Sequence, residues 1–131
     1  AIGSYAAQLV GQGRHDSLLV DWSRDGTKIT SKMVYEAAIQ NDALALRVVK
    51  RAGRYLGVAA SSICVTVNPE VIVIGGGASA MGDLLFDHVR NEIFMRVYFS
   101  PYFKTEVCRA QLGEDAGFIG AASLAFMNSE A

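Results

Sequence analysis

Residues 71–79, with the sequence VIVIGGGAS, decide the fold of this chain. Four β-branched apolar residues in a row are typical of a short strand that is buried on both faces in a parallel sheet. Gly75, Gly76 and Gly77 follow where this strand must end. Because they lack a Cβ atom, they can adopt positive φ and let a ligand approach the backbone closely. A helical pattern from about residue 82 follows, and the order strand, glycine turn, helix predicts a site for a phosphate or nucleotide.

The sequence before this strand predicts helices. Residues 1–12 have apolar side chains at helical spacing, and residues 30–40 form a second such stretch that Thr30 or Ser31 can cap. The polar stretch 14–28 between them is predicted to be a loop, with its turn at Asp25-Gly26 and with His15 exposed to solvent.

Asn41-Asp42 is predicted to break the preceding helix and to cap a long helix that runs from there to Val67. Its apolar stripe follows the spacing i, i+3, i+4, i+7 and consists of Ala45, Val48, Val49, Ala52, Leu56, Ala59, Ala60 and Ile63. Asn68-Pro69 is predicted to end the helix, because the residue before a proline avoids the α region.

Four cations form a second stripe on this helix: Arg47, Lys50, Arg51 and Arg54. Such a row can contact anions or nucleic acid. We interpret it as a solvated outer face, because no aromatic residue is interleaved and the twelve basic and thirteen acidic residues of the chain nearly cancel.

Beyond the glycines, the sequence predicts a helix to about residue 95, a second strand over 105–110, a turn at 112–115 and a last helix over 116–126. A crossover connects the two strands, so they should lie parallel. Gly117 and Gly120 lie one turn apart in the last helix and predict the close approach of another element, since glycine otherwise weakens a helix.

A two-stranded sheet with a fully apolar strand is not stable by itself. Further strands are therefore expected upstream, and the absence of an initiator Met at Ala1 also suggests a piece of a longer protein. The aromatic-rich residues 94–103 are compatible with a partner surface or with a segment folded onto the core.

Composition narrows the class of protein. The chain has 131 residues, 51% of them apolar and 19% charged, and a net charge of −1, which is typical of one globular domain. Neither nucleic acid nor a membrane is indicated as a partner. Cys64 and Cys108 are single and lie in apolar sequence, so reduced core cysteines of a cytoplasmic protein are favoured over a disulfide.

A dinucleotide-binding fold is one interpretation of the turn. Gly75, Gly77 and Ala80 match the pattern G-x-G-x-x-G/A after a strand. That pattern also requires an acidic residue about 20 positions on, at the end of a second strand. Glu92 and Glu106 are nearest, but one lies inside a helix pattern and the other near the start of a strand, so this FAD- or NAD-binding interpretation is less favoured.

Two separate motifs instead resemble the ROK family (repressors, open reading frames and kinases). NPEVIVIGGGAS at 68–79, followed by GDLL at 82–85, resembles the adenosine-binding segment of that family. LGEDAGFIGAA at 112–122 is similar to the family's closing helix, where many members have Asn in place of Glu114. Residues 30–46 also resemble the helices that precede the triple glycine in bacterial glucokinases of the family.

The resemblance implies an α/β fold: part of the C-terminal lobe of an actin-like (ribonuclease H-like) sugar kinase, helix-rich and with two parallel strands. Residues 1–67 would be its helical part and residues 68–131 its nucleotide side. The residues that would border the adenosine and phosphates are Gly75, Gly76, Gly77, Ala78 and Ser79. The residues that would belong to the hinge between the lobes are Gly113, Asp115, Gly117 and Gly120.

The same resemblance implies an ATP-dependent hexose kinase that uses ATP with Mg²⁺, in a cytoplasmic homodimer. The family's phosphate loop, its catalytic Asp and its His/Cys zinc cluster do not match any part of this sequence, so no catalytic or metal-binding residue is assigned. This chain alone is expected to be inactive. A sugar-responsive repressor of the same family is the alternative, and the intact triple glycine favours the kinase.

Overall fold

A computed structural model describes residues 2–13, 16–97 and 104–129. Within these ranges the chain forms six α-helices and two strands. In chain order they are α1 (Ile2–Gln12), α2 (Leu18–Trp22), α3 (Ser31–Ile39), α4 (Ala43–Val67), β1 (Val71–Ile74), α5 (Asp83–Val97), β2 (Glu106–Arg109) and α6 (Ala116–Ser129). Two 3-10 helices, Gly77–Met81 and Gly113–Asp115, precede α5 and α6.

The polar stretch 14–28 contains a helix that the sequence prediction missed. Helix α2 is only five residues long, too short for a periodic pattern, but Leu19 is fully buried and the hydroxyl of Ser17 accepts from its amide at 3.2 Å. The predicted turn at Asp25-Gly26 is confirmed, since Gly26 has φ +85°. His15 lies outside the described residues.

Asp42 joins the starts of two helices. Its carboxylate accepts from the amide of Ala45 at 2.8 Å, which caps α4, and also from the amide of Leu18 at 2.8 Å and the hydroxyl of Ser17 at 3.1 Å. Thr30 caps α3 by accepting from the amide of Met33. The predicted starts of α3 and α4 are therefore confirmed.

Helix α4 ends where predicted, at Val67, but the local reason is different. Asn68 adopts the left-handed conformation (φ 48°, ψ 56°), and its amide donates to the carbonyl of Cys64 at 2.9 Å. An asparagine tolerates this conformation better than most residues do, so it closes the helix before Pro69 is reached.

The buried face of α4 was predicted incorrectly in its second half. Ala59 and Ile63 are exposed, Ile63 by 47%. Two glycines, Gly53 and Gly57, instead face α5: an ideal Cβ at each would lie 2.5 Å from the Cβ of His88 and of Glu92, respectively. The hydrophobic stripe missed this face because glycine carries no apolar side chain to count.

The two strands pair in parallel, as predicted, with Val71 opposite Glu106 and Ile74 opposite Arg109. The expectation that β1 is buried on both faces is wrong for the described residues. Ile72 and Ile74 pack against the core, whereas Val71 and Val73 are 46% and 60% exposed. The helices of the described ranges cover one face of this sheet only.

Three further expectations concern the core, the aromatic segment and membranes. Cys64 and Cys108 are free thiols, the first buried and the second half-buried. Of the predicted aromatic cluster, residues 98–103 lie outside the described residues, and Phe94 is exposed at the surface of α5. No helix within the described ranges has the length and apolar character needed to cross a membrane.

Candidate nucleotide site

The glycine turn begins at the carboxyl ends of both strands. The amide of Ala110, directly after β2, donates to the carbonyl of Ile74 at 3.0 Å, and this bond holds the carboxyl ends of the two strands together. An ideal Cβ at Gly75 would lie 3.4 Å from the Cβ of Ala110. In parallel sheets, ligands bind outside this carboxyl edge.

Gly76 gives the turn its direction. It has φ +80° and ψ 174°, and no described atom lies within 4 Å of where its Cβ would be. L-residues rarely adopt this backbone conformation, so the position requires glycine for conformational reasons, and the open space leaves the backbone accessible. The 3-10 helix Gly77–Met81 follows and separates the turn from α5, a detail the sequence prediction did not contain.

Ser79 fixes this turn from inside. Its side chain is 1% exposed, and its hydroxyl donates to the carbonyl of Gly76 at 2.7 Å. Its amide donates to the same carbonyl at 3.0 Å. The amides of Gly77 and Ala78 precede this first bond of the 3-10 helix and are not part of its ladder.

Ala78 connects the turn to an apolar groove of about 430 Å³. Helix α1 contributes Ile2 and Tyr5 to the groove. The remaining lining residues come from α4: Val48, Arg51, Ala52, Tyr55 and Leu56. No local pattern in the sequence indicates this groove, because its walls come from three segments far apart in the chain.

The second predicted motif lies beside the first. Gly113 has φ +55°, which confirms the predicted turn, and the 3-10 helix Gly113–Asp115 contacts the 3-10 helix Gly77–Met81. Asp115 is exposed. The structure thus brings the triple glycine and the start of the last helix to the same edge of the sheet.

Gly117 and Gly120 are different. Both are exposed, and no described atom lies within 4 Å of where their Cβ atoms would be. The close approach predicted for this face is therefore not made by any described residue of this chain. Four large apolar side chains among the described residues of α6 are also exposed: Phe118, Ile119, Leu124 and Phe126.

The cation stripe of α4 is exposed, as predicted, but the expectation that it lacks aromatics is wrong. The guanidinium carbon of Arg51 lies 4.0 Å from the ring centroid of Tyr5 and 5.2 Å from that of Tyr55. Tyr55 follows Arg51 by one helical turn, a signal that was present in the sequence, whereas Tyr5 comes from α1.

Glu92 does not have the position that a dinucleotide fold needs. It lies within α5, facing Gly57, and its carboxylate pairs with Arg96 at 3.3 Å and with Arg54 at 3.9 Å. A ribose-binding acid would instead stand at a strand end. These contacts speak against the dinucleotide interpretation.

The described residues contain no group of three or more His, Cys, Asp or Glu side chains that could hold a metal ion. The pKa of Asp25 is lowered because the hydroxyl of Thr27 donates to its carboxylate at 2.6 Å, supported by the Thr27 amide at 3.1 Å. This carboxylate belongs to the loop between α2 and α3 and not to the glycine turn.

Comparison with known proteins agrees with both motifs. The model of the ROK family matches residues 14–127, which is most of the chain. The chain belongs to the ROK family. A glucokinase from Halalkalibacterium halodurans is 37% identical over 121 residues, which are 91% of this chain and 36% of the glucokinase. The chain thus spans about a third of the length of the curated relatives it matches.

Solved structures of the ROK family have the same fold over this segment. A glucokinase from Streptomyces griseus, in complex with glucose and AMPPNP, superposes with a TM-score of 0.82 at 28% identity and covers 95% of this chain and 41% of its own. A ROK transcriptional regulator, a homolog of the E. coli MLC protein, has a TM-score of 0.68 at 26% identity over 83% of this chain and 26% of its own.

Proposed function

We propose that this chain supplies the nucleotide side of an ATP-dependent hexose kinase that resembles the bacterial glucokinases. The observation that carries the proposal is the meeting of the triple glycine and the Gly113 motif at the carboxyl edge of the two parallel strands. The likeness to a glucokinase that holds glucose and AMPPNP supports the same assignment.

In this proposal the turn and the groove divide the nucleotide between them. The backbone of Gly75, Gly76 and Gly77 borders the ribose and phosphates, because an open glycine backbone admits oxygen atoms at close range. Ala78 and the apolar groove take the adenine, since ligand sites are mostly apolar with few polar groups. Ser79 is a positioning residue, because its hydroxyl is already bound to the carbonyl of Gly76.

The exposed face of α6 is the proposed contact with the second lobe of an actin-like fold. Gly117 and Gly120 leave this face without side chains, and Gly113 and Asp115, in the 3-10 helix directly before α6, would belong to the same hinge. Closure of the lobes at this hinge would exclude water and align a sugar hydroxyl with the γ-phosphate of ATP. The exposed Val71 and Val73 are proposed to face residues that the described ranges do not contain.

This chain's part in the reaction is to bind and orient. Phosphoryl transfer depends mainly on positioning and on neutralisation of charge, with Mg²⁺ bound to the phosphates. We assign no proton acceptor to this chain, and we expect it to be inactive alone. The described residues contain no group of three or more His, Cys, Asp or Glu side chains that could hold zinc. In this proposal the ligands of any zinc in the whole protein lie outside this chain. A cytoplasmic homodimer remains part of the proposal.

A sugar-responsive repressor is the second candidate, since a ROK transcriptional regulator shares the fold. The observation that favours the kinase is the geometry at Gly76. Gly76 has a positive φ and open surroundings. In this proposal they admit a nucleotide, and a repressor that binds no nucleotide would not need them.

Replacement of Gly76 by valine tests the proposal. A β-branched residue is strained at φ +80° and fills the space above the turn, so Gly76→Val should weaken ATP binding by at least about tenfold and leave glucose binding within about twofold. Gly26→Val is the matched control, because Gly26 has φ +85° and equally open surroundings but lies in another loop. Calorimetric titration of the whole protein with ATP and with glucose measures both. An ATP affinity that Gly76→Val leaves unchanged would refute the assignment.

A further inference from the structure

The guanidinium of one arginine of the apolar groove, Arg51, lies close to the rings of two tyrosines, Tyr5 and Tyr55. We infer that Tyr5, Arg51 and Tyr55, which we call the stacking wall, bind the base of the nucleotide by stacking. The base is therefore recognised by its shape, so the protein accepts ATP and GTP alike and binds UTP more weakly. This inference rests on the proposed nucleotide site and names the residues and the selectivity of its base pocket.

The stacking wall is arranged in advance. The Nη1 atom of Arg51 donates to the hydroxyl of Tyr5 at 2.9 Å, while its guanidinium lies over the rings of Tyr5 and Tyr55. A planar guanidinium that aromatic rings hold in one orientation loses little freedom when a ligand binds. All three side chains line the groove to which Ala78 of the glycine turn also belongs.

The rest of the groove has almost nothing with which to read the edge of a base. Its other lining side chains are aliphatic: Ile2, Val48, Ala52, Leu56 and Ala78. Aromatic rings and arginine planes bind bases through their faces, and such stacking tolerates different bases because every base has a π-face. A two-ring purine covers more of such a wall than a pyrimidine does.

Arg51 differs from the other cations of its stripe. Arg47, Lys50 and Arg54 do not line the apolar groove; they line a neighbouring, more polar pocket on which the stacking wall also borders, and Arg54 pairs with Glu92. The competing explanation is that Arg51 only stabilises the packing of α1 against α4. Loss of Arg51 would then lower the stability of the protein and leave its nucleotide affinity unchanged.

The test is calorimetric titration of the whole protein with ATP, GTP, UTP and adenosine. The wild type should bind ATP and GTP within about threefold and UTP roughly tenfold more weakly, since stacking grows with ring overlap. Arg51→Ala and Tyr55→Leu should each weaken ATP and adenosine by the same factor, about tenfold. Arg47→Ala, an equal loss of charge on the same helix, should leave all four affinities within about twofold.

Several results would overturn the inference. A lower Tm of Arg51→Ala with unchanged ATP and adenosine affinities would show that Arg51 only stabilises the packing of α1 against α4. A loss for ATP without a loss for adenosine would show that Arg51 acts on the phosphates. A strict preference for ATP over GTP would contradict recognition by shape. Tyr55→Leu keeps the test decisive should Arg51→Ala fail to fold, because Tyr55 is exposed. A wild type that binds no nucleotide at all would instead refute the proposed function itself.

Discussion

Two pairs of glycines, one in α4 and one in α6, have opposite surroundings. Gly53 and Gly57 of α4 are buried, and an ideal Cβ at either would lie 2.5 Å from a Cβ of α5. Gly117 and Gly120 of α6 are exposed, with no described atom within 4 Å of the same position. Both pairs lie about one turn apart in a helix.

The difference shows that small residues in a helix indicate a close contact but do not indicate which segment makes it. In α4 the partner is a neighbouring helix of the same chain. In α6 the partner is, in our proposal, the other lobe of the kinase. Glycine costs a helix about 1 kcal/mol relative to alanine, so both pairs need a compensating contact.

Alanine at Gly57 is expected to have the largest effect. The new methyl group would meet the Cβ of Glu92 at 2.5 Å and the carbonyl of Val89 at 3.0 Å, so α4 and α5 must separate. We expect Gly57→Ala to lower the free energy of unfolding by about 1–3 kcal/mol, as overpacking does, despite the gain in helix propensity. Urea denaturation measures this, and a variant as stable as the wild type would show that α5 approaches α4 less closely than described.

Loss of the carboxylate of Asp42, which caps α4, should have the second largest effect on stability. Asp42→Ala removes the N-cap of α4 and the bonds from Leu18 and Ser17, and we expect it to cost about 0.5–2 kcal/mol. Asp115→Ala is the matched control, since Asp115 is exposed at the start of α6. Its effect should stay within about 0.5 kcal/mol in the same denaturation experiment. Equal losses for both variants would contradict the role given to Asp42.

Alanine at Gly120 should have the smallest effect on stability, and the opposite sign. Nothing within this chain obstructs the methyl group, so Gly120→Ala should leave this chain as stable as before or more stable, by less than about 1 kcal/mol. In the whole protein, which we propose to be a kinase, the same variant should lower kcat, because the methyl group would enter the proposed hinge contact. Assays of glucose phosphorylation test this, and an unchanged kcat would argue against a hinge at this face.

Local signals explain which parts of the fold the sequence could predict. The long stripe and the cap at Asp42 predicted α4, and four β-branched residues before three glycines predicted β1 and its turn. Helix α2 was not predicted because five residues are too few to show a helical period. The contact of Gly53 and Gly57 with α5 was not predicted because a hydrophobic stripe does not count glycine.

The site was predictable only where it is contiguous in sequence. The triple glycine and the Gly113 motif were each visible as local patterns, and their parallel strands imply that they meet. The groove was not predictable, because Tyr5, Arg51 and Ala78 come together only through the packing of α1 and the glycine turn against α4. Four apolar residues in a row suggested burial of β1 on both faces, but only Ile72 and Ile74 pack against the core of the described residues, and Val71 and Val73 are exposed.

The central claim, that the glycine turn and the groove form one nucleotide site, is tested most directly by amide chemical shifts. In a titration of isotope-labelled whole protein with AMPPNP, the amides of Gly76, Gly77 and Ala78 should shift together with that of Ala52 in the groove. The amide of Gly26, which lies in the loop between α2 and α3, serves as the internal reference and should shift least. Shifts confined to other parts of the chain, with the turn and the groove unchanged, would contradict the account.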